Sequence, residues 1–267
     1  MIVNVNRYDQ RLLEDLLLHT DVKLDDIDLE DKEVIKMFYT NIYGSCEYAN
    51  HSLLGINECS SRVFNEIVTV ANSQIRSIDD IISVLGLRWG SSTWIRNGRE
   101  LLKSKTAKLS DLISTKDDVN DYLIRKGLSK TEVELVVDTI GQRIFPSRFA
   151  EVYSTLDKYN IPTWYVCSLS YVRNVWPRGA MKEVALLIYR LAWFKMYHTE
   201  LFFEHLFKFD SEIDYKGIAD KNRADIHVEF SEKYSDAVHR DDRWRDYNME
   251  RDLTQLRCTL ILASSEL

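Results

Sequence analysis

The feature that most constrains this chain is an apolar run that carries two cations. It reads Val184-Ala185-Leu186-Leu187-Ile188-Tyr189-Arg190-Leu191-Ala192-Trp193-Phe194-Lys195-Met196-Tyr197, with His198 next. It is entered through Trp176-Pro177-Arg178. A proline fixes φ at a helix start, where its missing N–H is an orphan anyway. The run is apolar almost all round, which is the pattern of a helix inside a core. It is too short for a bilayer, which takes about 20 residues, and Arg190 and Lys195 interrupt it. Such a helix needs other helices around it.

Composition agrees. The 267 residues hold only three prolines and nine glycines, few breakers for this length, and that favours helices over sandwiches or barrels. The apolar share of 45% is that of a chain with a sizeable core. The net charge of −7 excludes a generally basic protein, so contact with nucleic acid requires a local basic face. Cys46, Cys59, Cys167 and Cys258 form no Cys-x-x-Cys pair. They read as reduced thiols of a cytoplasmic protein, not as a zinc ribbon. Met1 to Arg7 lacks the basic and apolar regions of a signal peptide, and no membrane partner is expected.

Local signals predict the elements. Residues 2–5 alternate and suit a short strand or an extended lead-in. Helices are expected from Arg11 to His19, where leucines form a stripe, and from Glu33 to Tyr39, after an acidic loop. Residues 40–60 read as irregular. Ser60 or Ser61 caps a helix running to about Gln74, and Ser77 caps another that ends at Gly86. A further helix is expected from Thr93 to Lys103. Turns at Leu109-Ser110-Asp111 and Ser114 to Asp118 precede a helix, Val119 to Lys126, closed by Gly127. Ser129 and Glu132 form a capping box for a helix carrying Val133, Val136, Val137 and Ile140. Phe149 to Tyr159, a helix starting at Pro162, and 179–207 follow. The fold class is mainly α: one multi-helix domain over 1–215, with at most a short N-terminal strand. A charged helical extension, 216–267, packs on it.

Two blocks of sequence carry a resemblance. The first has Leu85-Gly86-Leu87-Arg88-Trp89-Gly90-Ser91-Ser92-Thr93-Trp94, then Leu109-Ser110-Asp111-Leu112-Ile113, Lys116-Asp117-Asp118-Val119, Tyr122-Leu123-Ile124 and Gly127-Leu128. The second has Ile161-Pro162-Thr163-Trp164-Tyr165, Trp176-Pro177-Arg178, Arg190, Ala192-Trp193-Phe194-Lys195 and His198. In order and spacing these resemble the fingers domain of PolC-type (C-family) bacterial DNA polymerase III. The resemblance extends from about residue 4 to 260. It implies a helical fingers fold, with DNA and the replisome, or a polymerase palm subunit, as candidate partners.

The departures matter as much. Where the family has Ala-His-Ala-Ala-Ala-Tyr facing the nascent base pair, this chain has Gly179-Ala180-Met181-Lys182-Glu183-Val184. Ala180 donates no hydrogen bond there, and Glu183 repels phosphate. C-family palms hold two magnesium ions on an Asp-x-Asp pair and a third Asp. The alignment leaves no room for the pair and places Asn4 at the third position, where an amide is a poorer magnesium ligand. The resemblance therefore implies fingers without the catalytic palm.

The remaining motifs are weighed on their chemistry. Asp26-Ile27-Asp28 lies in an acidic run and reads as a solvated loop. His198 and His205 are two helical turns apart, with no carboxylate or thiol at ligand spacing, and read as structural. Asp225-Ile226-His227-Val228-Glu229 aligns three ligands only on a strand, and its surroundings read as helix. No metal, cofactor or catalytic residue is assigned. No GxxxxGK, GxGxxG, nucleophile elbow or HExxH is present, so a self-contained enzyme is not expected.

Arg88, Arg96, Arg99, Lys103, Lys105 and Lys108 form a basic cluster with Trp89 and Trp94 interleaved, a composition that holds phosphates and stacks bases. The candidate DNA- or nucleotide-binding residues are Arg88, Trp89, Arg96, Arg99, Lys103, Lys116, Arg178, Arg190 and Lys195. Three functions follow. The chain is an inactive fingers-like protein that binds DNA or replisome components and modulates replication, for which a phage or mobile-element setting fits. It is the fingers subunit of a split polymerase. Or it is a protein-interaction module with no DNA binding.

Overall fold

The structure, a computed structural model, describes residues 7–40, 53, 55–59, 61–141 and 149–208. Among these residues the regular elements are helical: α1 Arg7–Leu18, α2 Lys32–Thr40, α3 Arg62–Ala71, α4 Ile78–Trp89, α5 Arg99–Lys103, α6 Lys116–Arg125, α7 Lys130–Gly141, α8 Phe149–Lys158, α9 Thr163–Tyr171, α10 Arg178–Tyr197 and α11 Thr199–Lys208. The β pairings among them are two isolated bridges, Ser91 with Asn174 and Thr115 with Trp176. The fold is mainly α. The expected strand at 2–5, Asn4, Cys46, Cys258, the motif at 225–229 and the extension 216–267 lie outside the described residues. None of the described helices is long and apolar enough to cross a membrane.

The described residues divide between two compact units. Unit 1 draws on Met1–Asn65 and Leu187–Leu267, and unit 2 is Glu66–Leu186.

In unit 1 the leucine stripe of α1 is buried at Leu12, Leu13 and Leu16. α2 buries Val34, Met37 and Phe38, and the C-terminal half of α10 buries Ile188, Leu191 and Phe194. The Tyr189 ring stacks near-parallel to Phe38, with centroids 6.5 Å apart. Its hydroxyl donates to the Asp28 carbonyl at 2.8 Å, satisfying a buried polar tip. Asp9 is buried at the foot of α1. Its two carboxylate oxygens accept the backbone N–H groups of Asn57 and Glu58, at 2.9 and 2.8 Å. It thereby caps the 3-10 turn Asn57–Cys59 from 48 residues away.

In unit 2, α6 to α9 share one core that includes Val119, Leu123, Val136, Leu156 and Tyr165. The caps are those the sequence shows. Ser77 Oγ accepts from Asp80 N at 3.3 Å. Thr115 and Asp118 bond reciprocally, at 2.7 and 3.3 Å. Ser129 and Glu132 do the same, at 2.9 and 3.4 Å. Gly127, at φ +97°, closes α6 in the left-handed region that glycine enters freely.

Two expectations are corrected. Gly86 does not end α4, which continues to Trp89 and stops at Gly90. A Cβ on Gly86 would lie 2.5 Å from the Ser114 carbonyl oxygen, so the glycine is there for close packing of backbone on backbone. Nor is Thr93 to Lys103 one helix. Trp94–Gly98 is a wide turn in which Ile95 (φ −65°, ψ 132°) and Arg96 (φ 60°, ψ 19°) leave helical geometry, and only Arg99–Lys103 is α-helix. Buried side chains hold that turn: Thr93 Oγ1 donates to the Leu87 carbonyl at 2.7 Å, and Ser168 Oγ donates to Asn97 Oδ1 at 2.6 Å. These bonds compete with the helical ladder and win.

Candidate functional site

Seven of the nine candidate binding residues fall in unit 2, and Arg190 and Lys195 in unit 1. The structure sorts them by what each charge already faces.

Arg88 is half-buried at the end of α4, its guanidinium carbon 5.1 Å from the centre of the Trp89 ring. Trp89 meets Trp176 edge-on at 5.9 Å, and the Trp176 indole N–H donates to the Trp89 carbonyl at 3.0 Å. The Trp89 indole nitrogen itself is buried without a hydrogen-bond partner. Trp94 is buried and donates its indole N–H to Glu66 at 3.2 Å. It is a core residue, not a stacking platform. Arg99 is ion-paired with Glu66 at 3.2 Å and Glu100 at 2.8 Å. Burial opposes ionisation of Glu66, but the Trp94 indole and Arg99 outweigh it and hold its carboxyl below the ordinary value.

Arg178 is committed in the same way. Its guanidinium reaches Asp118 at 3.1 Å and Asp79 at 2.9 Å, and its backbone N–H donates to Asp117 at 2.6 Å. The aromatic-Pro-basic entry to α10 is therefore a clasp on α6 and α4. Lys195 is fully buried, with its ammonium 5.8 Å from the centre of the Phe202 ring, and faces no solvent. Arg190 is half-buried, and its Nε has no hydrogen-bond partner.

Of the basic cluster and the binding candidates, Arg96, Lys103, Lys105, Lys108 and Lys116 remain exposed. Lys105 and Lys108 line one groove together with Arg76, Gln74 and Asp80. Arg76 was not among the sequence candidates. It lies in the turn before α4, where no motif marks it, and only the return of the chain after α5 brings the two lysines to it. Asp80 is engaged locally: its Oδ2 accepts the Arg76 backbone N–H at 2.9 Å and the Ser77 hydroxyl at 2.8 Å. Gln74 Oε1 accepts from Leu109 N at 2.8 Å and fixes the groove wall. Three cations thus face one carboxylate, on a chain whose overall charge is −7.

Asp26 and Asp28 are exposed and accept local backbone N–H groups from Lys23 and Glu30, as a solvated loop does. His198 packs against Trp193 and Phe194, at 5.4 and 5.6 Å. His205 is buried and hydrogen-bonded to Asp15, with the His19 ring 4.5 Å from its own. Sequence spacing offers His205 no carboxylate; the packing of α11 on α1 supplies one. At the start of α10, Met181 is buried, while Lys182 and Glu183 are exposed.

Known proteins can be set beside this arrangement. No protein-family profile matches the chain. Curated proteins do: DNA polymerase III PolC-type of Lactococcus lactis is 27% identical over 186 residues, covering 67% of this chain. The protein of that name from Halalkalibacterium halodurans is 26% identical over 220 residues, covering 78%. The one from Bacillus subtilis is 26% identical over 203 residues, covering 74%. The chain is a relative of PolC-type DNA polymerase III. It spans only 11% to 15% of the length of these PolC proteins. The relationship is thus to a limited stretch of PolC.

Proposed function

We propose that this chain is a PolC fingers-like element that works in DNA replication by gripping DNA phosphates in the basic groove of unit 2, without carrying out nucleotide transfer by itself. The observation that carries the reading is the convergence of Arg76, Lys105 and Lys108 on one groove of a chain related to a DNA polymerase. Exposed Arg96, Lys103 and Lys116 extend the set of cations for a backbone contact. Phosphate contacts of this kind position a protein without reading sequence. The absence of nucleotide transfer is supported by residues. Ala180 and Val184 stand where the resemblance implies a histidine and a tyrosine facing the nascent base pair, Glu183 beside them repels phosphate, and Arg178 is tied to Asp79 and Asp118.

The test is fluorescence anisotropy of labelled primer–template DNA over a range of salt. Each phosphate contact contributes about 0.9 to the slope of log affinity against log salt. The triple change Arg76→Ala/Lys105→Ala/Lys108→Ala is expected to lower that slope by roughly 2 to 3. Arg99→Ala, which removes an arginine already paired with Glu66 and Glu100, is expected to leave the slope unchanged. Absence of salt-dependent binding by the wild-type protein would overturn the proposal.

A further inference from the structure

We propose that unit 1 carries a site for a divalent ion of the zinc class, formed by Asp15, His19 and His205. One donor atom from each lies within 4.8 Å of the other two. The donors of one tetrahedral zinc stand about 3.3 Å apart, as follows from zinc–ligand bonds near 2.0–2.1 Å. Side-chain rotation on the order of an ångström therefore closes the set around an ion.

The geometry is built by two helices. Asp15 lies on α1 and His19 directly follows it, the His19 N–H continuing the last turn to the Asp15 carbonyl at 3.2 Å. The four-residue spacing puts both side chains on one face. His205 comes from α11, is 2% exposed, and has its Nδ1 hydrogen-bonded to Asp15 Oδ2. His19 Nδ1 lies 2.8 Å from the Asp15 backbone carbonyl. A carbonyl only accepts, so in the neutral ring that nitrogen carries the proton and Nε2 keeps its lone pair. A ring nitrogen anchored on a carbonyl, with the other left as donor, is how ligating histidines are usually held, and this describes His19. His205 offers Nδ1 itself: the ion takes the place of the proton between that nitrogen and Asp15 Oδ2, so that both atoms become ligands.

A buried His205–Asp15 pair accounts for two of the three residues. It does not account for His19, whose exposed ring lies over His205 at 4.5 Å, tilted by 51°, beside a carboxylate already engaged. A shared cation accounts for all three. One carboxylate and two imidazoles suit Zn2+, Co2+ or Ni2+, whereas Mg2+ and Ca2+ favour oxygen alone. Three protein ligands leave a fourth position open to water.

The experiment uses the full chain stripped with a chelator. Zn2+ affinity is measured by competition with a chromophoric chelator, and Co2+ is followed by its visible spectrum. One ion per chain is expected. His19→Ala and His19→Gln are expected to weaken binding at least about tenfold, with an unchanged far-UV circular dichroism spectrum because His19 is exposed. Asp15→Asn is expected to do the same. Three results would each overturn the site: no saturable binding, binding indifferent to both His19 substitutions, or a near-UV thiolate band placing Co2+ on a cysteine.

Discussion

At the scale of single residues, Asp9 shows how far a side chain's role can lie from its sequence context. It sits in the first turn of α1, where an acid is ordinary, yet it is fully buried and binds two backbone N–H groups of the 57–59 turn. Burial pushes its carboxyl up to about 7, and the bonds from Glu58 and Asn57 pull against that rise. The folded value exceeds the ordinary 3.8, so between these limits the folded state binds a proton that the unfolded state does not. Stability from this residue is complete below about pH 4 and is lost as pH rises through about 7, at roughly 1.4 kcal/mol per pH unit. Urea midpoints from pH 4 to pH 8 are expected to carry this falling component, and Asp9→Asn to flatten it. A slope identical in the variant would show that Asp9 is ionised throughout. Nothing in Tyr8-Asp9-Gln10 marks the aspartate as buried, because its donors lie 48 and 49 residues away.

At the scale of elements, most helix starts were legible and the close approaches were not. Ser77, Thr115 and Ser129 are caps because a short side chain reaches the N–H three residues on, a purely local geometry. Gly86 reads equally well as a terminator, and only the position of Ser114 decides otherwise. That contact makes a prediction. Alanine is favoured over glycine inside a helix by about 1 kcal/mol. Here its Cβ would meet backbone at 2.5 and 2.8 Å, which cannot yield as a side chain end can. Gly86→Ala is therefore expected to destabilise the protein by about 1–3 kcal/mol, read as a fall in melting temperature; a rise would refute the close approach. The basic cluster has the same history. Its composition was legible, but Arg99 and Trp94 turn inward to Glu66, while Arg76 joins Lys105 and Lys108 from outside the cluster.

At the scale of the whole molecule, the chain order of the two units differs in kind. Unit 2 is one continuous stretch, whereas unit 1 is drawn from both sides of it. The core shared by α6 to α9 lies within residues 113–172 and so needs no residue from outside unit 2. Residues 61–186 expressed alone, keeping the Ser61 cap of α3, are expected to give a helical circular dichroism spectrum and a cooperative melt. A spectrum without helix would mean that unit 2 depends on the rest of the chain. The sequence by itself determined the helical class, most helix starts and the kinship with PolC, since caps, periodicity and motif order are properties of neighbouring residues. Only the tertiary structure decided which charges remain available. Ion pairing and burial bring together residues remote in sequence, so Arg178 and Arg99 are consumed internally, Lys195 is enclosed, and His205 meets Asp15 and His19.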